Sequence, residues 1–355
     1  MKMRQSSNRL LDIRGIANGM EGKNYPFDDC MAFIMERKSL NEGSGENQLD
    51  YWNFSWITGD GLTQIYDKNP STLCEYCVSG FRAGEKHIRY VFDAIGYDYT
   101  YITAEQINSE KERYRQKVMA FIDKGIPVLV RTTMADTPTA NSEFTYCLFV
   151  GYEDNGNILL YTNPYDKIVR YETGNTVKQD WIFIGDKKHD VVYADLVFAA
   201  VKKMRIWLTL PESDGKCYGA AAFRAWADDV ENERFENETD LWANYGVYFC
   251  SMATNAWANN IIDAPHASLL HRFAELNPQS NDMKNQIAAQ FFRIGNGDGK
   301  GGIWRELQNL GGGFNVSNEV MKDPEKRIKI AALLREAAGC FDRLVEILDE
   351  GLKRF

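Results

Sequence analysis

The stretch from Tyr146 to Thr162 constrains the fold most. YCLFVGY (146–152) and ILLYT (158–162) are rich in β-branched and aromatic residues, and Asp154-Asn155-Gly156-Asn157 lies in the connection between them. Asn and Gly tolerate positive φ, so the two runs read as an antiparallel hairpin. Further strand-like runs stand on either side: PVLVR (127–131), IVRYE (168–172) and WIFIG (181–185). A sheet with helices ahead of it is the pattern of an α+β domain.

The helices ahead of the sheet differ in character. DDCMAFIMERK (28–38) opens with acidic residues suited to an N-cap and then runs apolar on nearly every face through Met31, Ala32, Phe33, Ile34 and Met35. Such a helix belongs in a core. EQINSEKERYRQKVMAFIDK (105–124) is amphipathic, and Gly125 stops it. In YWNFSWI (51–57) Trp52, Phe54 and Trp56 alternate with Tyr51, Asn53 and Ser55. That period of two predicts a half-buried strand, with a loop on aromatic anchors as the alternative.

From about residue 212 the strand signals stop. CYGAAAFRAWADDVEN, DLWANYGVYFCSMATNAW, ASLLHRFAEL and MKNQIAAQFFRI all carry helical spacing. The last helix is the clearest: Asp323 can cap it, Pro324 suits its first turn, and Ile330, Leu334, Ala337, Phe341, Leu344 and Leu348 form one stripe. At 355 residues the chain exceeds the ~250–300 at which a single core stops growing. Two domains are therefore expected, residues 1–207 and an all-α part at 208–355, joined near Leu208–Ser213.

Composition excludes several classes. The net charge is −9, and no Lys/Arg cluster exceeds Lys202-Lys203 with Arg205 nearby, so no nucleic-acid partner is expected. No run approaches the ~20 apolar residues that span a bilayer, and MKMRQSSNRLLDIRG has no apolar stretch behind its positive charge. The seven cysteines are odd in number and scattered, which suits reduced thiols in a cytoplasmic protein with no membrane partner. No cofactor or metal motif is complete. Cys74-Glu-Tyr-Cys77 has no second ligand pair. GNGDGKGG (295–302) lacks the Ser or Thr of a phosphate loop and the glutamate of a calcium loop, and reads as a helix–helix connection.

Cys30 is the candidate nucleophile. Placed in the first turn of its helix, it is expected to be the most reactive thiol, favoured by the helix terminus and opposed by Asp28 and Asp29. Of the four histidines, His87 falls in a helical pattern, His189 in a charged loop, and His266 and His271 flank a helical turn.

The order of these parts resembles the papain-like fold of bacteriocin-processing (double-glycine) peptidases, and most nearly the family named for the N-terminal domain of butirosin biosynthesis protein H. The likeness rests on YPFDDCMAFIMER, GDGLTQIY (59–66), GIPVLV (125–130), VGYEDNGNILLYTNP (150–164) and WLTLPESDGKCYGAAAFRAWADDVEN (207–232). It implies acyl or peptidyl transfer through a thioester, with Cys30 attacking a carbonyl, Asn24 supplying an oxyanion-hole N–H and Asn163 orienting a histidine. Where the family carries that histidine, this chain has Thr145, whose hydroxyl cannot take a proton at neutral pH. Glu143 two residues earlier, His87, or a histidine of the helical part are the alternatives for a base. The resemblance thus leaves two expectations: a thiol-dependent acyltransferase or amide hydrolase, or a catalytically silent protein that binds a peptide or small molecule between its halves. The expected partners are a small molecule, a peptide or an acyl carrier.

Overall fold

The computed structural model describes residues 6–10, 23, 25–42, 49–68, 85–132, 145–162, 168–178, 180–213, 215–234, 239–260, 268–295, 301–313 and 316–354. Within them the chain runs β1 (Asn8–Arg9), α1 (Pro26–Glu42), α2 (Tyr51–Thr58), β2 (Ile65–Asp67), α3 (Glu85–Ile95), β3 (Tyr97–Ile102), α4 (Ala104–Ser109), α5 (Lys111–Asp123), β4 (Val128–Thr132), β5 (Thr145–Glu153), β6 (Ile158–Thr162), β7 (Ile168–Glu172) and β8 (Asp180–Lys187). It continues with α6 (Tyr193–Leu208), β9 (Lys216–Tyr218), α7 (Gly219–Glu231), α8 (Thr239–Asn260), α9 (Leu269–Leu276), α10 (Asn281–Ile294), α11 (Ile303–Asn309), α12 (Asn318–Lys322) and α13 (Pro324–Gly351). No helix among the described residues is long and apolar enough to cross a membrane.

Packing divides the chain into two compact units, 1–54 with 82–191, and 55–81 with 192–355. This division differs from one drawn at residue 207. It passes through α2 and groups residues 55–81 and all of α6 with the helical part.

The first unit is mixed helix and antiparallel sheet, an α+β arrangement. Strand order is β3-β8-β4-β5-β6-β7, with β1 pairing on β5. The β5–β6 hairpin forms at the expected turn, where Asp154, Asn155 and Gly156 all take positive φ, at 47°, 53° and 83°. Only residues tolerant of the left-handed region serve there.

Strand alternation places helices on both faces of this sheet. Phe27 of α1 meets Tyr146 of β5 edge-on at 4.8 Å. The next odd-numbered position but one, Phe149, meets Trp181 of β8, and Phe183 on the same strand parity meets Phe121 of α5. Successive strand residues face opposite ways, so α1 and α5 cover opposite faces. Asp180 ties β8 to its surroundings: it accepts from the Tyr101 hydroxyl at 2.5 Å and from the Ala104 amide, at the start of α4, at 2.8 Å.

Two local expectations fail in this unit. Residues 51–58 are a helix, not a strand; Tyr51, Phe54, Trp56 and Ile57 are all buried. A segment buried on nearly every side carries no periodicity that separates the two conformations, and the alternation there was coincidental. The single helix expected over 105–124 is two, α4 and α5, broken at Glu110, whose φ of −136° is not helical.

Among its described residues the second unit is helical except for one short ladder, β2 against β9, so the expected absence of strands after residue 212 does not hold. Its core is an aromatic stack: Phe223 of α7 lies 5.2 Å from Phe341 of α13 and 5.1 Å from Phe249 of α8, and Trp226 lies 4.9 Å from Trp242. Asp323 caps α13 by accepting from the Glu325 and Lys326 amides at 3.0 and 3.3 Å, with Pro324 at the first helical position. The expected stripe Ile330, Leu334, Ala337, Phe341, Leu344 and Leu348 is buried throughout. GDGLTQIY opens this unit with a turn in which Gly59 has φ +87°, and a Cβ there would lie 2.6 Å from the Trp207 ring.

Candidate functional site

The helix that carries Cys30 begins earlier than the acidic pair suggested. Pro26 occupies its first position, and the Asp29 amide already donates to the Tyr25 carbonyl at 3.2 Å. Cys30 is therefore the fifth residue, in the second turn rather than the first. Asp28 and Asp29 sit inside the first turn, where carboxylates complement the helix dipole. The Tyr25 amide donates to the Tyr51 hydroxyl at 3.3 Å, which anchors the helix start to α2.

Burial of this region is nearly complete. Cys30 and Asp28 are 0% exposed and Asp29 1%. The expectation of an unusually reactive Cys30 loses its structural basis here: neither the first-turn position nor exposure is present. The other described cysteines are thiols as well. Burial pushes the Cys147 thiol on β5 well above its usual range and that of Cys340 up to about 11.

The sheet face that receives α1 is reached through Phe27, one turn ahead of Cys30. Positions three apart share a helix face with ~5–6 Å between their Cβ atoms. Phe27 touches Tyr146 of β5, and its ring also lies 6.4 Å from the ring of His87, tilted by 56°. His87 is buried, together with Ile88, Val91, Phe92 and Ile95, on the inward face of α3. Tyr90, one turn further on and 6.2 Å from His87 by ring centroids, has its hydroxyl pushed up to about 12 by burial. Among the described residues His87 is thus the histidine that shares an aromatic cluster with the turn ahead of Cys30. The residue at the start of β5 that meets α1 is Tyr146.

The other residues singled out in the sequence fall as follows. Thr145 opens β5, its backbone paired with Thr132. Asn24, Glu143 and Asn163 lie outside the described residues, as do Cys74, Cys77 and His266. His189 lies between β8 and α6, and its amide donates to the Gly96 carbonyl at 3.4 Å. His271, in the second unit, pairs with Glu275 on its own helix at 3.3 Å. Residues 296–300 of the glycine-rich string are also outside the described set. Among the described residues no group of three or more His, Cys, Asp or Glu side chains is placed to hold a metal ion.

The signal for His87 was present in the sequence. EKHIRYVFDAI puts His87 on the same stripe as Ile88, Val91, Phe92 and Ile95, so an amphipathic reading of that helix turns it inward. What no local pattern carries is that the His87 ring reaches Phe27, which also meets Tyr146.

No family model matches the chain, and no curated protein sequence matches it.

Proposed function

We propose that this chain is a papain-like thiol protein that transfers acyl groups through Cys30, with His87 as the base that the sheet lacks at Thr145. The observation that carries the reading is the packing of the His87 ring on Phe27, one turn before Cys30, on the sheet face that also presents Tyr146. An imidazole titrates near neutrality and is the usual proton acceptor for a thiol. In this reading the Cys30 proton passes to His87, and sulfur attacks the acyl carbonyl. The leaving group departs with that proton, and the acyl-Cys30 thioester is then taken by an amine or by water. Asn24 and Asn163 keep the roles the resemblance gives them, as oxyanion donor and orienting residue, with Glu143 as the other candidate base.

A thioester is the preferred donor because a thiolate leaves without strong acid assistance. An amide nitrogen must be protonated as it leaves, and positioned acid–base groups contribute ~10²–10⁴-fold to such steps. Thioester turnover is therefore expected to exceed peptide cleavage. The partner is an acyl carrier, an acylated small molecule or an activated peptide.

The test is turnover of an activated thioester, with and without an amine acceptor, by the natural protein, Cys30→Ala and His87→Gln. Loss of turnover in both variants supports the pair. Full turnover by Cys30→Ala removes the cysteine from the chemistry.

The complete burial of Cys30 favours a second reading, a silent protein that holds an acyl or peptide ligand without reacting. Its signature is saturable ligand binding with no turnover in the natural protein.

A further inference from the structure

In the second unit Lys68, Glu212 and Cys217 converge on a single oxygen. Oε2 of Glu212 accepts from the Lys68 ammonium at 2.7 Å and from the Cys217 thiol at 3.6 Å. Backbone pairing builds the convergence. On the β2–β9 ladder Tyr66 stands opposite Cys217 and Asp67 opposite Lys216, and the Lys68 amide extends the ladder by donating to the Gly215 carbonyl at 2.9 Å. Lys68 and Cys217 are thus joined through one carboxylate oxygen. Cys217 is buried, whereas Lys68 and Glu212 keep 40% and 53% of their side-chain surface in solvent, so the cluster lies at the edge of the unit's core.

The acyl-transfer reading makes no use of these residues. We propose that they form an oxidative modification site, at which hydrogen peroxide joins Lys68 to Cys217 through a sulfur–nitrogen bond. A thiol oxidised to sulfenic acid condenses readily with a neighbouring nitrogen.

The steps balance with peroxide as the only co-reactant. Sulfur attacks one peroxide oxygen, the O–O bond breaks, and the thiol becomes a sulfenic acid while the peroxide is reduced to water. The Lys68 nitrogen, having given up a proton, then attacks sulfur. The S–O bond breaks, water leaves, and the S–N bond closes across the ladder. Glu212 touches the hydrogens of both reactants and is the path by which each is removed.

At rest both groups are held in their protonated forms. Burial raises the Cys217 thiol above its ordinary range, and the hydrogen bond from Lys68 to Glu212 raises the ammonium. The resting thiol is therefore slow toward alkylating reagents and oxidants alike until Glu212 takes its proton. The product is a covalent staple between the end of β2 and β9.

The experiment exposes the full-length protein to hydrogen peroxide and follows intact mass and mapped peptides, alongside Cys217→Ser, Lys68→Arg and Glu212→Gln. Expected in the natural protein is a linked pair of peptides containing residues 68 and 217, lighter by two hydrogens than their sum, and separated again by a thiol reductant. The link is expected to vanish in Cys217→Ser and Lys68→Arg and to form severalfold more slowly in Glu212→Gln. In Lys68→Arg the Cys217 thiol is expected to gain oxygen unlinked, which shows that it is still reached in a folded protein. Cys217 gaining oxygens without a link in the natural protein, or remaining a thiol there and in Lys68→Arg, overturns the proposal.

Discussion

The ring of His87 on α3 lies 6.4 Å from that of Phe27 on α1, and Phe27 is one helical turn ahead of Cys30. Two helices far apart in sequence thus bring an imidazole against the helical turn that precedes Cys30, on the α1 side of the sheet.

That relationship predicts which substitution matters. His87→Gln is expected to slow thioester turnover by about 10²–10⁴-fold, the range of a positioned base. Adding Thr145→His to that variant is expected not to restore the rate, because the residue at the start of β5 that meets α1 is Tyr146. Recovery of Cys30-dependent turnover by Thr145→His would instead place the base on β5. The natural protein with either side chain at 145 should denature at the same urea concentration, so that rates rather than folding are compared.

A second prediction concerns the turn at GDGLTQIY. Gly59 combines φ +87° with a hypothetical Cβ only 2.6 Å from the Trp207 ring, whereas a Cβ at Gly174 meets nothing within 4 Å. A left-handed non-glycine residue and an overpacked contact each cost roughly 1–3 kcal/mol. Gly59→Ala is therefore expected to lose at least that much stability in urea titration, and Gly174→Ala less than about 0.5 kcal/mol, as at an ordinary surface position. Equal losses in the two variants would contradict the packing of Trp207 over the turn.

How much of this was legible in the sequence depends on whether the signal was local. The β5–β6 hairpin was readable because Asp154, Asn155 and Gly156 state their own backbone conformation. Helix α13 was readable because Asp323, Pro324 and its apolar stripe lie within one continuous segment. Helix α2 reads as a strand because Tyr51, Phe54, Trp56 and Ile57 are all buried, and full enclosure erases the contrast between polar and apolar faces. The start of α1 was misplaced because Pro26 can open a helix ahead of an acidic pair that looks like a cap. The neighbourhood of Cys30 was least legible. It depends on His87 of α3 reaching Phe27 of α1, a contact between segments separated by dozens of residues.

Alkaline pH should unfold the protein cooperatively with tyrosine ionisation. Tyr90, Tyr101 and Tyr171 each have their hydroxyl raised from 10.0 to about 12, in every case chiefly by burial, with the Tyr101 hydroxyl also held by Asp180. A raised folded-state pKa means the unfolded chain loses these protons first. Their contribution to stability is complete below pH 10 and is lost as pH rises toward 12. Ultraviolet difference absorbance and circular dichroism are expected to change together in that window. Free titration of all the tyrosines at their ordinary value, with the fold intact, would contradict the burial of these three.

The most direct test of the account is where an acyl group lands. The natural protein, His87→Gln and Cys30→Ala are mixed with an activated thioester, quenched in acid within the first turnover, and mapped by peptide mass. The account predicts an acyl adduct on Cys30 in the natural protein, strongly reduced in His87→Gln and absent in Cys30→Ala. An adduct on another cysteine, or none on Cys30 while the thioester is consumed, would contradict it.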